Sequence, residues 1–83
     1  MAGTVARHQR HDKEIDVRGL TCPMPALRAR LALGRMKPGQ VLRIVATDPG
    51  SPRDIAAFCH NTGHELLAQS ATRKEFVFLV RKA

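Results

Sequence analysis

Cys22 is the residue of this chain best suited to covalent chemistry, and it stands in the run Cys22-Pro23-Met24-Pro25. A proline after the cysteine favours a helix start, because the missing N–H of proline would be unpaired in the first turn anyway. We therefore predict that Cys22 occupies a helix N-cap, where unpaired N–H groups and the helix dipole stabilise an anion. Both effects lower the pKa of a thiol and favour the thiolate, the nucleophile of sulfur chemistry.

The residues around Cys22 support this interpretation. Pro23 and Pro25 fix two φ angles and stiffen the first turn of the helix. Arg18 and Arg28 are close in sequence and are expected to add positive charge near the thiol. Cysteine is not a favoured helix cap, so its use here indicates that the sulfur is needed. The alternative is a buried cysteine that happens to precede a helix.

The chain has no Cys-x-x-Cys pair, because Pro25 stands where the second cysteine would be. A thioredoxin-like exchange needs that second thiol. The sequence therefore favours a reaction that one cysteine performs alone, such as holding a sulfane sulfur as a persulfide. Cys59 falls beside Phe58 within a predicted helix, so we interpret it as a core residue, with a second sulfur site as the alternative.

Metal-ligating side chains cluster once, at Cys59, His60 and His64. The helix is expected to end near Gly63, which breaks the i, i+4 geometry between the histidines, and a fourth ligand at suitable spacing is missing from the sequence. We predict no metal site and no cofactor.

The elements that position Cys22 begin with a strand at 15–18, where apolar and polar side chains alternate. A helix follows from Pro23 and ends at the turn 37–40. Its predicted inward stripe is Met24, Leu27, Leu31 and Gly34. The apolar run 41–46 has the composition of a central strand.

A second helix is predicted from the N-cap Ser51 to a stop before Gly63. Turn formation and the helix N-terminus explain Asp48 and Asp54. Strands follow at 64–70 and 75–80.

The order β-α-β-α-β-β implies crossovers that place both helices on one face of the sheet. We predict an α/β (α+β) two-layer sandwich, in which a four-stranded mixed sheet lies under two helices. Residues 1–12 have no periodicity and are predicted to form a flexible tail, and residues 13–83 a single domain.

The 83 residues suffice for one domain with a small core, which favours a surface site used with a partner. A net charge of +7 favours an acidic partner. Three phenylalanines and no Trp or Tyr leave little to stack on bases, so direct nucleic-acid binding is not predicted as the main activity.

The basic helix face is either a docking surface or a solvated face, and the sequence leaves both open. That face comprises Arg28, Arg30, Arg35 and Lys37.

The longest apolar runs fall short of the ~20 residues that cross a bilayer, and residues 1–14 lack the apolar core of a secretory signal. We predict a cytoplasmic monomer whose two thiols stay reduced.

Residues 16–25, Asp-Val-Arg-Gly-Leu-Thr-Cys-Pro-Met-Pro, resemble the signature of the TusA/SirA-like sulfur carriers. Residues 47–51, Thr-Asp-Pro-Gly-Ser, with Asp54 and Ile55, resemble the second block of that family. The similarity extends over 15–82. A Cys-Pro-x-Pro alone is weakly specific, but its combination with the preceding Gly-Leu and the later Asp-Pro block is strongly specific. Some relatives carry an acidic residue between the two prolines, where this chain has Met24.

The resemblance implies a βαβαββ sandwich in which Cys22 accepts sulfur as a persulfide from a cysteine desulfurase or a rhodanese. Cys22 would then pass the sulfur to an acceptor protein, so the chain would act as a sulfurtransferase relay rather than an independent turnover enzyme. The resemblance also implies that Asp48 lies near the cysteine. End uses in the family include 2-thiouridine in tRNA, molybdenum-cofactor enzymes and dissimilatory sulfur transfer. The alternatives are a small regulatory module and an RNA-binding module without sulfur transfer.

Overall fold

A computed structural model describes residues 10–83 of the chain. The elements are β1 (Lys13–Val17), α1 (Met24–Gly34), β2 (Val41–Ala46), α2 (Ser51–Thr62), β3 (Glu65–Ala71) and β4 (Phe76–Arg81). This is the predicted β-α-β-α-β-β order. Neither helix is long and apolar enough to cross a membrane within this described range.

The four strands form one mixed sheet in the order β1-β2-β4-β3. β1 and β2 are parallel, with Val17 opposite Ala46 at their carboxyl ends. β4 is antiparallel to both β2 and β3, and its first residue, Phe76, also lies opposite Ala46. Both helices pack against one face of this sheet, so the predicted two-layer α+β sandwich is confirmed.

The core lies between the sheet and the helices. β2 and β4 are the central strands, and their inward side chains Leu42, Ile44, Phe78 and Val80 are fully buried. α2 contributes Ile55 and Cys59. This helix ends as predicted at Gly63, whose φ of 84° is left-handed and whose N–H donates to the Cys59 carbonyl.

The predicted inward stripe of α1 is wrong. The helix turns a different set of residues to the sheet, namely Pro25, Ala29, Ala32 and Leu33. Leu27 and Leu31 are instead 43% and 59% exposed. Apart from Leu33, the inner face is made of small side chains, and Leu27 and Leu31 are left on the outer side.

The N-cap predicted for the second helix is also wrong by one residue. Gly50 occupies the cap, and Ser51 is the first helical residue. The Ser51 hydroxyl is fully buried and has no hydrogen-bond partner within residues 10–83.

Most of the predicted tail, residues 1–9, lies outside the described residues. At its end, Asp12 is hydrogen-bonded to the start of β2. Its N–H donates to the Val41 carbonyl, and its Oδ2 accepts from the Val41 N–H, each at 2.8 Å.

Candidate functional site

The carboxyl edge of the parallel strand pair carries the candidate site. Because Val17 and Ala46 lie side by side where β1 and β2 end, the loops 18–23 and 47–50 leave the sheet at the same edge. Each loop leads into a helix N-terminus. Ligand and catalytic residues of sheets with parallel strands commonly collect at this edge.

Two consecutive turns present Cys22. In the first, Leu20 N–H donates to the Val17 carbonyl, and Gly19 has a φ of 81°, the left-handed value that a type II turn requires at this position. In the second, Met24 N–H donates to the Thr21 carbonyl at 2.8 Å. The Cys22–Pro23 peptide bond is cis, and Cys22 is exposed.

The predicted N-cap position of Cys22 requires correction. Pro23 occupies the cap of α1, so Cys22 precedes it by one residue, and the helix lacks a side-chain cap hydrogen bond. The thiol therefore lies beside the helix N-terminus without capping it.

The predicted fall in the pKa of the thiol is also wrong. The Asp54 carboxylate raises the pKa of Cys22, chiefly as acceptor of a hydrogen bond from the thiol. Partial desolvation and the charge of Asp48 raise this pKa further. Two carboxylates thus favour the neutral thiol over the thiolate.

The loop at Gly50 positions the carboxylate of Asp48 and the backbone of Asp54. Its N–H donates to Asp48 Oδ2 at 3.0 Å, and its carbonyl accepts from the Asp54 N–H at 3.0 Å. This loop is joined to the cysteine loop by Gly19 N–H, which donates to Thr47 Oγ1 at 2.8 Å. The site therefore comprises Cys22, Asp48 and Asp54 on two connected loops.

Arg18 does not supply the positive charge expected of it. Its guanidinium forms ion pairs with Asp16 at 2.8 Å and with Glu75 at 3.0 Å. The Arg18 hydrogen bonds lower the pKa of Asp16 to about 2, and the two carboxylates raise the pKa of Arg18. Within residues 10–83, no arginine is among the groups that shift the pKa of Cys22.

The remaining predicted site residues belong to α1. Pro23 is exposed beside the thiol, whereas Pro25 is fully buried and anchors the first turn on the core. Arg28 and Arg30 are exposed, and neither has a carboxylate partner among the ion pairs of residues 10–83. Together with Arg35 they give α1 and its C-terminal end an unpaired positive surface.

A shallow apolar groove of about 230 Å³ runs from the site along the two helices. Its lining is Pro23, Ala26, Leu27, Arg30 and Phe58. We call this feature the α1–α2 groove. The sequence does not predict this groove, because the spacing of Leu27 fits an inward stripe and Phe58 fits the packing of α2.

Cys59 is 4% exposed and packs in the core, as expected, and burial raises the pKa of its thiol. If Cys22 is loaded with sulfur as the family resemblance implies, Cys59→Ala should leave that loading unchanged, and it should lower the free energy of unfolding by about 1 kcal/mol because a small cavity forms. Denaturant unfolding and mass spectrometry of the loaded protein measure the two effects. Loss of loading would instead require a mechanism with two cysteines.

The pKa shift of Cys22 predicts the pH dependence of its alkylation. Since only the thiolate reacts, the rate with iodoacetamide should reach half its maximum at a higher pH in the folded protein than in a short peptide containing residues 19–25. Asp54→Asn removes the main cause of the shift and should move this midpoint to lower pH. A midpoint that stays in place in Asp54→Asn would contradict the assigned cause.

The chain was compared with known proteins. The family model described as sulfurtransferase TusA matches residues 13–82. The chain is 47% identical over 72 residues to the sulfur carrier protein TusA of Allochromatium vinosum, a match that covers 87% of this chain and 95% of that protein.

A solved structure shares the fold. The crystal structure of the SirA-like protein from Desulfitobacterium hafniense superposes with a TM-score of 0.75, covering 84% of this chain and 96% of the other. The two sequences are 19% identical, so this similarity concerns the fold alone.

Proposed function

The chain belongs to the sulfurtransferase TusA family, and from this premise we propose that it is a sulfur carrier whose persulfide forms on Cys22. The observation that carries the proposal is the free, exposed Cys22 thiol at the carboxyl edge of the sheet. The other cysteine, Cys59, is buried in the core.

Loading begins with the Cys22 thiol losing its proton. Asp54, whose carboxylate raises the pKa of that thiol, is the proposed first acceptor of the proton. The Cys22 sulfur attacks the outer sulfur of a donor persulfide R–S–SH, the donor S–S bond breaks, and the donor leaves as a thiolate. Cys22 then holds the sulfur as Cys22–S–SH, and its transfer to an acceptor nucleophile repeats the exchange in the other direction.

We propose a cysteine desulfurase or a rhodanese as donor and a downstream protein as acceptor. Both must bring a sulfur atom within bonding distance of Cys22, so both contact the surface around it. Free thiols are kept reduced in the cytoplasm, which is the compartment that this chemistry suits.

The docking surface we propose is the α1–α2 groove with its neighbouring arginines. The groove begins at Pro23, directly beside the thiol. Arg30 lines the groove and Arg28 is exposed on the same helix, and neither has a carboxylate partner in the described chain. A partner of matching chemistry presents an apolar side chain within an acidic surface.

Mass spectrometry tests the proposed function. Incubation with a cysteine desulfurase, pyridoxal phosphate and cysteine should add about 32 Da per sulfur to the peptide that contains Cys22. Treatment with dithiothreitol should remove this mass. A protein that gains no mass from a desulfurase or from a loaded rhodanese would favour the alternative of a regulatory module without sulfur transfer.

A further inference from the structure

The thiol of Cys22 lies in an acidic setting although the protein carries a net charge of +7. Four of the seven acidic residues of the chain occupy the carboxyl edge of the sheet. They are Asp16, Asp48, Asp54 and Glu75.

Two of these carboxylates belong to the segment that adjoins the cysteine turn, Asp48 in the loop before α2 and Asp54 in the first turn of α2. A Cβ added to Gly50 would lie 3.0 Å from Asp48 Oδ2 and 3.7 Å from Asp54 Oδ2, so both carboxylates crowd the same point of the loop. The Gly19–Thr47 hydrogen bond holds this loop against the turn that carries Cys22. These hydrogen bonds thus hold the loop that carries Asp48 against the cysteine turn, and the Gly50 N–H also fixes the Asp48 carboxylate.

Arg18, the arginine nearest to Cys22 in sequence, is neutralised. Arg18 is bound by Asp16 and Glu75, so these three side chains together carry one negative charge. Arg28 and Arg30 of α1 have no carboxylate partner within residues 10–83, and neither is among the groups that shift the pKa of Cys22. At physiological ionic strength charges act over about 8 Å, so the local carboxylates govern a small molecule that approaches the sulfur.

We propose that Asp48 and Asp54 protect the sulfur on Cys22 from small anionic thiols, and so reserve its transfer for protein partners. This inference rests on the proposed sulfur-carrier function. A small anionic thiol, of which glutathione is the common cytoplasmic example, is repelled by the two carboxylates. It makes no docking contacts that would offset this repulsion. A protein partner offsets the same repulsion by docking on the α1–α2 groove and its arginines.

The reaction that is suppressed is sulfur loss to a free thiol. A thiolate RS⁻ attacks the outer sulfur of Cys22–S–SH, a new S–S bond forms in R–S–SH, and the bond to the Cys22 sulfur breaks. Cys22 leaves as a thiolate, and no external oxidant or reductant is consumed. Negative charge elsewhere on R adds to the repulsion, so the charge of the small thiol becomes the discriminating property.

The first experiment measures the charge preference on the unloaded protein. Cys22 is alkylated with neutral iodoacetamide and with anionic iodoacetate in Cys59→Ala protein, and the ratio of the two rates cancels the thiolate fraction. Asp54→Asn should raise the iodoacetate-to-iodoacetamide ratio roughly three- to tenfold at low salt, as expected for one unit charge at 5 to 7 Å. Asp48→Asn should raise it less. The differences should shrink in 1 M salt.

Glu65→Gln is the matched control, because it removes one negative charge from the opposite end of the sheet, where Glu65 lies beside Arg81. It should leave the ratio within about twofold of the parent. A ratio that is the same in Asp54→Asn, Asp48→Asn and the control would overturn the inference.

The second experiment measures sulfur loss. Cys22 is loaded chemically with polysulfide, freed of reagent, and exposed to glutathione or to cationic cysteamine at matched thiolate concentrations. Asp54→Asn should accelerate loss to glutathione several-fold more than loss to cysteamine. If Asp54→Asn accelerated sulfur loss to both thiols equally, Asp54 would act only on the reactivity of the sulfur, and the proposed protection would be refuted.

The two experiments separate this inference from the proposed function. If no persulfide forms on Cys22 with any donor, the carrier function fails, and the alkylation ratio still decides whether the carboxylates repel anions. If loading succeeds and the ratio does not respond to either aspartate, the function stands and the protection is rejected.

Discussion

A Cys22→Ser protein should carry no persulfide after incubation with a desulfurase and cysteine, and its fold should be unchanged. A serine hydroxyl does not form a persulfide, so loading should drop below the detection limit of intact-protein mass spectrometry. The side chain is exposed and lies outside the core, and it does not cap α1. The free energy of unfolding should therefore stay within about 0.5 kcal/mol of the parent.

Cys59→Ala is the matched control, since it removes the other thiol and should load as the parent does. Circular dichroism and denaturant unfolding verify that Cys22→Ser is folded. Persulfide retained by a folded Cys22→Ser protein would show that the sulfur is held at another residue and would refute the proposed carrier site.

The element order could be predicted because local rules and the tertiary structure agree. The proline in the first turn of each helix and the left-handed Gly63 delimit the helices by backbone constraints alone. The apolar runs of β2 and β4 predict central strands, and these two strands do lie in the middle of the sheet. Strand and helix bounds differ from the prediction by one or two residues.

The orientation of α1 could not be predicted in the same way. Apolar residues occur on nearly every side of this helix, so the sequence contains two competing stripes. The larger side chains favoured a stripe with Leu27 and Leu31, but close packing on the sheet selects the stripe with Ala29 and Ala32. The exposed leucines are the consequence, and they supply part of the groove beside the site.

The electrostatics of Cys22 depend on contacts that are distant in sequence. The features close to Cys22 in sequence, namely the helix N-terminus and the neighbouring arginines, both favour the thiolate. The register of β1 with β2 brings the loop at Asp48 to the thiol, and the start of β4 brings Glu75 to Arg18. The family resemblance implies that Asp48 lies near the thiol, whereas the sequence predicts Asp54 only in the first turn of α2 and does not place it near Cys22.

The second large effect is expected from charge reversal on the basic surface of α1. Arg30→Glu should slow sulfur transfer from a partner protein about tenfold at low salt and about twofold or less in 0.5 M salt. Arg30 lines the α1–α2 groove, is exposed, and has no carboxylate partner within the described chain. Charge reversal therefore changes attraction to repulsion at the docking surface, and added salt screens both. Arg28→Glu should act in the same direction but less, since Arg28 does not line the groove.

Lys13→Glu provides the matched control. It makes the same change of charge on an exposed residue at the start of β1, the opposite end of that strand from the site. A general effect of net charge would slow transfer equally in Lys13→Glu and Arg30→Glu, and that outcome would reject docking on this face. Transfer is followed by the rate of appearance of persulfide on Cys22 with the desulfurase at fixed concentration.

The rate of Cys22 alkylation by iodoacetamide completes the test. Arg30 is not among the groups that shift the pKa of the Cys22 thiol, so Arg30→Glu should leave this rate within about twofold of the parent. Slow partner transfer with unchanged alkylation would locate the effect in docking. Equal slowing of both reactions at every salt concentration would locate it at the sulfur itself, and the basic helix face would then be no more than a solvated surface.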